Sequence, residues 1–91
     1  MTKLEQLIKD TIQGTISSLE AGKRAYAILQ ELGVSEFKIQ LNRVSKKRRN
    51  KFIDILSHLL IDDPPIGTLT EEQYRDNKEF RSWRQEQHER I

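Results

Sequence analysis

The segment that most constrains the fold is residues 45–61, SKKRRNKFIDILSHLLI, because it joins two chemically different halves in one predicted helix. The second half has an apolar stripe at helical spacing, formed by Phe52, Ile55, Leu56, Leu59 and Leu60. The residues expected to face away from that stripe are Asp54, Ser57 and His58. The first half is almost entirely basic. The pattern predicts a helix with one end in a core and a cationic head.

The excess of bases over acids in the chain is confined to residues 43–51, which comprise this head and the residues just before it. We call these six residues the basic cluster: Arg43, Lys46, Lys47, Arg48, Arg49 and Lys51. Residues 43–51 contain no acid, whereas the whole chain has a net charge of only +2. Such a block can neutralise phosphates by releasing counterions, or it can engage an acidic protein surface. A solvated surface without a partner is the third interpretation, and we place nucleic acid first.

A chain of 91 residues predicts one small domain with little core. Its hydrophobic share is 35% and its charged share is 33%, so a second copy or a partner would add useful apolar contact. There is no cysteine, which excludes disulfides and thiol-based metal sites. No apolar run approaches the ~20 residues of a membrane span, and no signal-peptide core follows Met1. We expect a cytoplasmic protein and no membrane contact.

No residue pattern indicates an enzyme, a cofactor or a metal site. His58 lies one helical turn from Asp54, and His88 lies near the C-terminus, but no third ligand or nucleophile stands at a suitable spacing. Both histidines are therefore interpreted as surface residues. The four glycines form no phosphate-binding loop.

The N-terminal segment contains two helix-start signals. Thr2 and Glu5 form a capping-box pattern, and Ser17 and Glu20 form a second one. Gly14 lies between them, so residues 2–32 form either two helices or one long helix with a weak point. The apolar face rotates after residue 22, which favours a bend or break. Gly33 is expected to end the helix that precedes it.

Residues 34–44 admit two interpretations. Phe37, Ile39 and Leu41 alternate as in a strand, whereas Phe37, Leu41 and Val44 have helical spacing with Ser35 as a cap. A lone strand would have no partner, so we favour a helix or irregular structure. A helix-turn-helix with Gly33 as its turn and residues 36–49 as its reading helix is only weakly indicated, because Leu29 stands where a small residue is expected.

The C-terminal segment is highly charged and has few apolar anchors. Pro64 and Pro65 end the preceding helix, and Thr68 with Glu71 is predicted to start the next one. Its large aromatic residues are Tyr74, Phe80 and Trp83, among both acids and bases. The acids cancel the field that would attract a nucleic acid strand. We therefore interpret the aromatic residues as docking anchors at an intramolecular or intersubunit contact.

These patterns together predict an all-α protein, a small bundle of three to five helices. Residues 1–67 would form the helical core domain, and residues 68–91 would form an amphipathic helical arm. The predicted core consists of Leu4, Ile8, Ile12, Leu19, Ile28, Leu29, Leu32, Phe52, Ile55, Leu56, Leu59 and Leu60.

The predicted function is an intracellular binding module that engages an anionic partner through the basic cluster, with nucleic acid favoured. The alternative is a protein-binding regulator or inhibitor, of the type that a phage or mobile element uses to occupy a larger protein machine. In that case Phe80 and Trp83 would carry the affinity, and the basic cluster would steer the encounter. A homodimer is compatible with either function.

Overall fold

The computed structural model describes residues 1–90 and contains five helices. They are α1 (Lys3–Gln13), α2 (Ser18–Leu32), α3 (Val34–Arg43), α4 (Lys46–Leu60) and α5 (Glu71–Glu89). No strand occurs in this described part of the chain, so the predicted all-α bundle is confirmed. Among residues 1–90, no helix combines the length and the apolar character that crossing a membrane requires.

The N-terminal segment forms two separate helices, α1 and α2, and not one long helix. Thr2 caps α1 by accepting a hydrogen bond from the Glu5 amide, and Ser17 caps α2 in the same way through the Glu20 amide. Between them Gly14 adopts a left-handed conformation with φ 75° and closes α1. A residue with a side chain rarely adopts this conformation, so Gly14 acts as a helix terminator here.

Residues 34–43 are helical, so the strand alternative is excluded. Gly33, with φ 83°, ends α2 and directly precedes α3, and no side chain caps α3, so the predicted Ser35 cap is wrong. Val44 and Ser45 have extended ψ values of 143° and 147°, which separate α3 from α4. The imagined reading helix over residues 36–49 is therefore also wrong, because two extended residues interrupt it.

The core lies where α1, α2 and α4 meet, with one contribution from α5. Its buried apolar side chains are Leu4, Leu7, Ile8, Ala21, Ile28, Phe52, Leu56, Leu59 and Phe80. Of the other predicted core residues, Ile12, Leu19, Leu32 and Ile55 are half-buried and pack against that core. Leu60 is 58% exposed, so its assignment to the core was wrong. Adjacent helical residues point about 100° apart, and Leu59 takes the core side.

A close approach between helices depends on Gly22 in the middle of α2. A β-carbon at this position would lie 2.5 Å from Leu59 Cδ1 and 3.3 Å from Phe80 Cε1. The missing side chain therefore lets α2 contact both α4 and α5 directly.

A buried asparagine of α5 holds the C-terminus of α4. Asn77 is fully buried, and its Nδ2 donates to the carbonyl oxygens of His58 (2.6 Å) and Ile61 (2.8 Å). These groups have no partner within their own helix, so Asn77 supplies a cap from a different helix. Its Oδ1 accepts from Arg81 Nε at 2.9 Å, and Arg81 in turn pairs with Asp63 at 2.7 Å.

The start of α5 differs from the prediction by two residues. Thr70, rather than Thr68, is the N-cap, and it forms a capping box with Gln73. Thr68 instead donates its hydroxyl to the Pro65 carbonyl at 2.7 Å and completes a turn. That turn contains Gly67 with φ 90°, and α5 begins only after it. The division into residues 1–67 and 68–91 stays a prediction.

Candidate anion-binding surface

The basic cluster is positioned by the two-residue break between α3 and α4. Arg43 is the last residue of α3 and Lys46 is the first of α4. Val44 packs against the core and anchors the break, while Ser45 Oγ accepts from the Arg48 amide at 3.4 Å. An apolar anchor followed by a capping serine therefore brings the end of one helix and the start of the next to the same corner of the molecule.

The cations surround the end of α4 instead of forming a stripe along it. Residues 46–49 are consecutive, and successive helical side chains are about 100° apart, so these four point in different directions around the axis. Lys51 extends the cluster by one further turn. Five members are exposed, whereas Arg49 is half-buried and donates from Nη1 to the Val44 carbonyl at 3.4 Å. The resulting surface suits a partner that meets the helix end-on.

No carboxylate neutralises this surface within the described residues. The ion pairs of residues 1–90 are Lys3–Glu31, Lys23–Glu79, Arg24–Glu20, Arg81–Asp63 and Arg84–Asp62. None involves the basic cluster. Glu5 is an acidic neighbour of the cluster in the fold, and with Arg43 and Arg48 it lines a depression of about 160 Å³ between α1 and the α3–α4 break. The sequence could not predict this neighbour, because about 40 residues separate it from the cluster.

The helix dipole also opposes this arrangement. The N-terminal end of a helix carries partial positive charge from its unpaired amides, so acids are favoured there and bases are not. α1, α2, α3 and α5 all carry a glutamate in their first turn, whereas α4 carries none. Four consecutive bases occupy that turn instead. The cluster is therefore disfavoured both by the helix dipole and by the repulsion among its own positive charges.

The three predicted aromatic anchors lie in different environments. Phe80 is buried in the core, and Trp83 is half-buried, with its ring 6.0 Å from Phe80 and 5.5 Å from Tyr26. Lys23 Nζ lies 5.8 Å from the centre of the Trp83 ring. Tyr74 is exposed and makes none of these contacts. Phe80 and Trp83 thus make intramolecular contacts, one of the two alternatives that the sequence left open.

One histidine is buried and the other is exposed. His58 was expected at the surface but is only 7% exposed, because it lies beneath the start of α2, where Ser18 Oγ is 3.4 Å from its Nε2. That prediction was wrong. His88 is exposed, and its Nε2 lies 2.8 Å from the Tyr26 hydroxyl. Within residues 1–90 no three His, Cys, Asp or Glu side chains are grouped to hold a metal ion.

Comparison of the chain with protein-family models, with curated proteins and with solved structures finds no match.

Proposed function

We propose that this protein is a small binding module that engages the phosphate backbone of a nucleic acid through the basic cluster. The observation that carries the proposal is the set of six cations at one corner, without a paired carboxylate in residues 1–90. Lysine and arginine heads of this kind neutralise phosphates and release counterions. The bases at the N-terminus of α4 cost stability because of the helix dipole. A role in binding would explain why the cluster is there.

The arrangement of the cluster limits the kind of contact. A helix that lies along a groove presents its charges as a stripe, whereas these charges surround a helix end. The contact is therefore proposed to be largely independent of sequence, with a few phosphates of one backbone stretch gathered around residues 43–51. Arginine forks at positions 43, 48 and 49 can each hold a phosphate with two hydrogen bonds.

The test is a salt titration of the binding affinity. Fluorescence anisotropy would follow binding of a labelled DNA duplex, a labelled single-stranded RNA and labelled polyglutamate between about 50 and 200 mM salt. For the duplex we expect the slope of log K against log salt to be about −0.9 for each phosphate neutralised, with a magnitude of about 3–5. Binding of DNA or RNA that depends little on salt, or preference for polyglutamate, would contradict the proposal.

The alternative function, a regulator that occupies a larger protein, predicts a different result. Its affinity would come from aromatic contact, which salt weakens far less than phosphate contact. Because Phe80 is buried, Trp83 and the exposed Tyr74 are the aromatic residues through which such a partner would bind. A partner whose affinity falls on Trp83→Ala or Tyr74→Ala, but not on removal of the basic cluster, would favour this alternative.

A further inference from the structure

α4 exposes a second apolar stripe that the core does not use. Ile53 is 41% exposed and Leu60 is 58% exposed, and their spacing of seven residues places them on one face of the helix. Ser57 lies between them on the same face. Its hydroxyl donates to the Asp54 carbonyl of its own helix at 2.8 Å, so the centre of the stripe is small and its polar group is already satisfied. Such a centre permits another helix to approach closely.

An apolar cleft borders this stripe. It has a volume of about 320 Å³ and is lined by residues of α2, α3, α4 and α5, among them both Ile53 and Leu60. Among the described residues, Arg84 is the one charged residue that lines it. An apolar side chain that packed on the stripe could therefore enter the cleft beside it.

Opposite charges flank the two ends of the stripe. Arg49 and the exposed Asn50 lie one turn before Ile53, within the basic end of the helix. Asp62 and Asp63 follow the C-terminus of α4 after one intervening residue, Ile61. They pair with Arg84 and Arg81, but the aspartate side chains are 81% and 92% exposed, whereas the two arginines are largely covered. The tail of the helix therefore presents carboxylates to solvent, and its head presents cations.

We propose that this face binds a second copy of the chain, with the two α4 helices antiparallel about a twofold axis near Ser57. When Ile53 lies opposite Leu60 of the second copy, the basic head of each α4 lies beside the C-terminal end of the other α4, where Asp62 and Asp63 follow. The cationic head of each copy then meets the carboxylates of the other. Because the contact is twofold, this contact between opposite charges occurs twice, once at each end of the α4 pair. A parallel pairing would instead place one basic head against the other.

Complementary charge selects a second copy over an unrelated partner, because the chain itself supplies both halves of the match. The apolar part of the contact is short, so it falls below the ~1,200 Å² that stable complexes bury. The expected dimer is therefore weak, with a dissociation constant in the micromolar range. The apolar face of this contact is separate from the surface proposed to bind nucleic acid, whereas the cationic head of α4 takes part in both proposals.

The first test is sedimentation equilibrium over a range of micromolar protein concentrations. The wild-type chain is expected to increase in average mass with concentration, and Ile53→Gln is expected to remain monomeric. Ile39→Gln is the matched control, because Ile39 is also an exposed helical isoleucine, at 49%, but belongs to α3. It should dimerise as the wild type does. A monomeric wild type, or an Ile53→Gln variant that dimerises normally with an unchanged helical spectrum, would overturn the proposal.

The second test addresses the antiparallel arrangement. Asn50→Glu places a carboxylate opposite the aspartates of the second copy, and Asp62→Lys places a cation opposite its basic head, so each variant alone should dimerise at least several-fold more weakly at low salt. An equal mixture of the two variants should recover association as a heterodimer, because Glu then meets Lys. If both variants were weakened and the mixture stayed monomeric, this arrangement of the helices would be wrong.

Discussion

Asn77 shows how one buried side chain can determine a helix end. Its amide donates to two carbonyl oxygens at the C-terminus of α4, and it has no exposed surface. Removing the donor leaves both acceptors without that partner in a partly buried site, which typically costs about 1–3 kcal/mol for each unsatisfied group. A carboxylate at the same position would in addition face the two carbonyl oxygens with negative charge.

We therefore expect Asn77→Ala to lower the free energy of unfolding by about 2–4 kcal/mol, and Asn77→Asp to lower it further. Urea denaturation followed by circular dichroism measures both values. Asn42→Ala, at an exposed site on α3, is the control and should change stability by less than about 0.5 kcal/mol. If Asn77→Ala lowered the free energy of unfolding as little as Asn42→Ala does, water would be replacing the hydrogen bonds of the Asn77 cap.

Replacing Gly22 by alanine has two opposing effects on stability, one from helix propensity and one from side-chain packing. Alanine is ordinarily favoured over glycine in a helix by about 1 kcal/mol. Here the new methyl group would lie 2.5 Å from the buried Leu59 side chain, and overpacking of this kind typically costs about 1–3 kcal/mol. We expect Gly22→Ala to destabilise the protein. Ala27→Gly, on the exposed face of the same helix, measures the propensity difference for comparison. A stabilised Gly22→Ala variant would contradict the close approach seen at this position.

Residues whose roles depend on neighbours within one helical turn were predicted correctly from sequence, whereas residues whose roles depend on distant contacts were not. Thr2 and Ser17 were predicted as caps because a cap depends on residues within one helical turn. Burial of His58 depends on contacts 40 residues away, so its polar character was misleading. The same holds for the aromatic anchor Phe80, whose core position requires Gly22 in another helix.

At the scale of the helices, α4 combines a stabilising half with a destabilising half. Its apolar residues pack into the core, whereas its first turn carries bases where the helix dipole favours acids. Each such base costs about 0.3–1 kcal/mol when exposed. The basic cluster was recognised from sequence because charge density needs no tertiary information. Its position beside Glu5 and its arrangement around a helix end required the structure.

Replacing residues 46–49 by glutamine should therefore leave the melting temperature unchanged or raise it. The variant, which we call the cluster variant, removes the unfavourable dipole contacts and the repulsion between neighbouring cations. Thermal denaturation by circular dichroism measures the effect at low salt, where the gain is largest. A large fall in melting temperature would show that the four bases stabilise the fold.

At the scale of the whole molecule, the helices contribute unequally to the core. Among residues 1–90, eight of the nine buried apolar residues belong to α1, α2 and α4, and Phe80 is the contribution from α5. A chain of residues 1–67 would lose that side chain and the Asn77 cap but keep the remaining core. Loss of a buried phenylalanine alone typically costs about 3–5 kcal/mol, a large fraction of the stability of a small domain.

We expect residues 1–67 to remain helical and folded, with a markedly lower melting temperature and weaker partner binding. The helical signal and its thermal transition measure this outcome. A fragment without a cooperative transition at low temperature would show that α5 is part of the core domain. The division into a core domain and an arm would then be wrong.

The central claim is that the basic cluster serves binding and not folding, and paired variants test it most directly. The cluster variant is compared with a control that replaces four exposed cations elsewhere by glutamine, namely Lys38, Arg75, Lys78 and Arg90. Both variants remove two lysines and two arginines, so their net charges are equal. Binding of each to the same labelled DNA duplex is measured by anisotropy at low salt. We predict that the cluster variant loses at least tenfold in affinity while the control loses far less. Equal losses in the two variants would contradict the claim, because net charge alone would then determine binding.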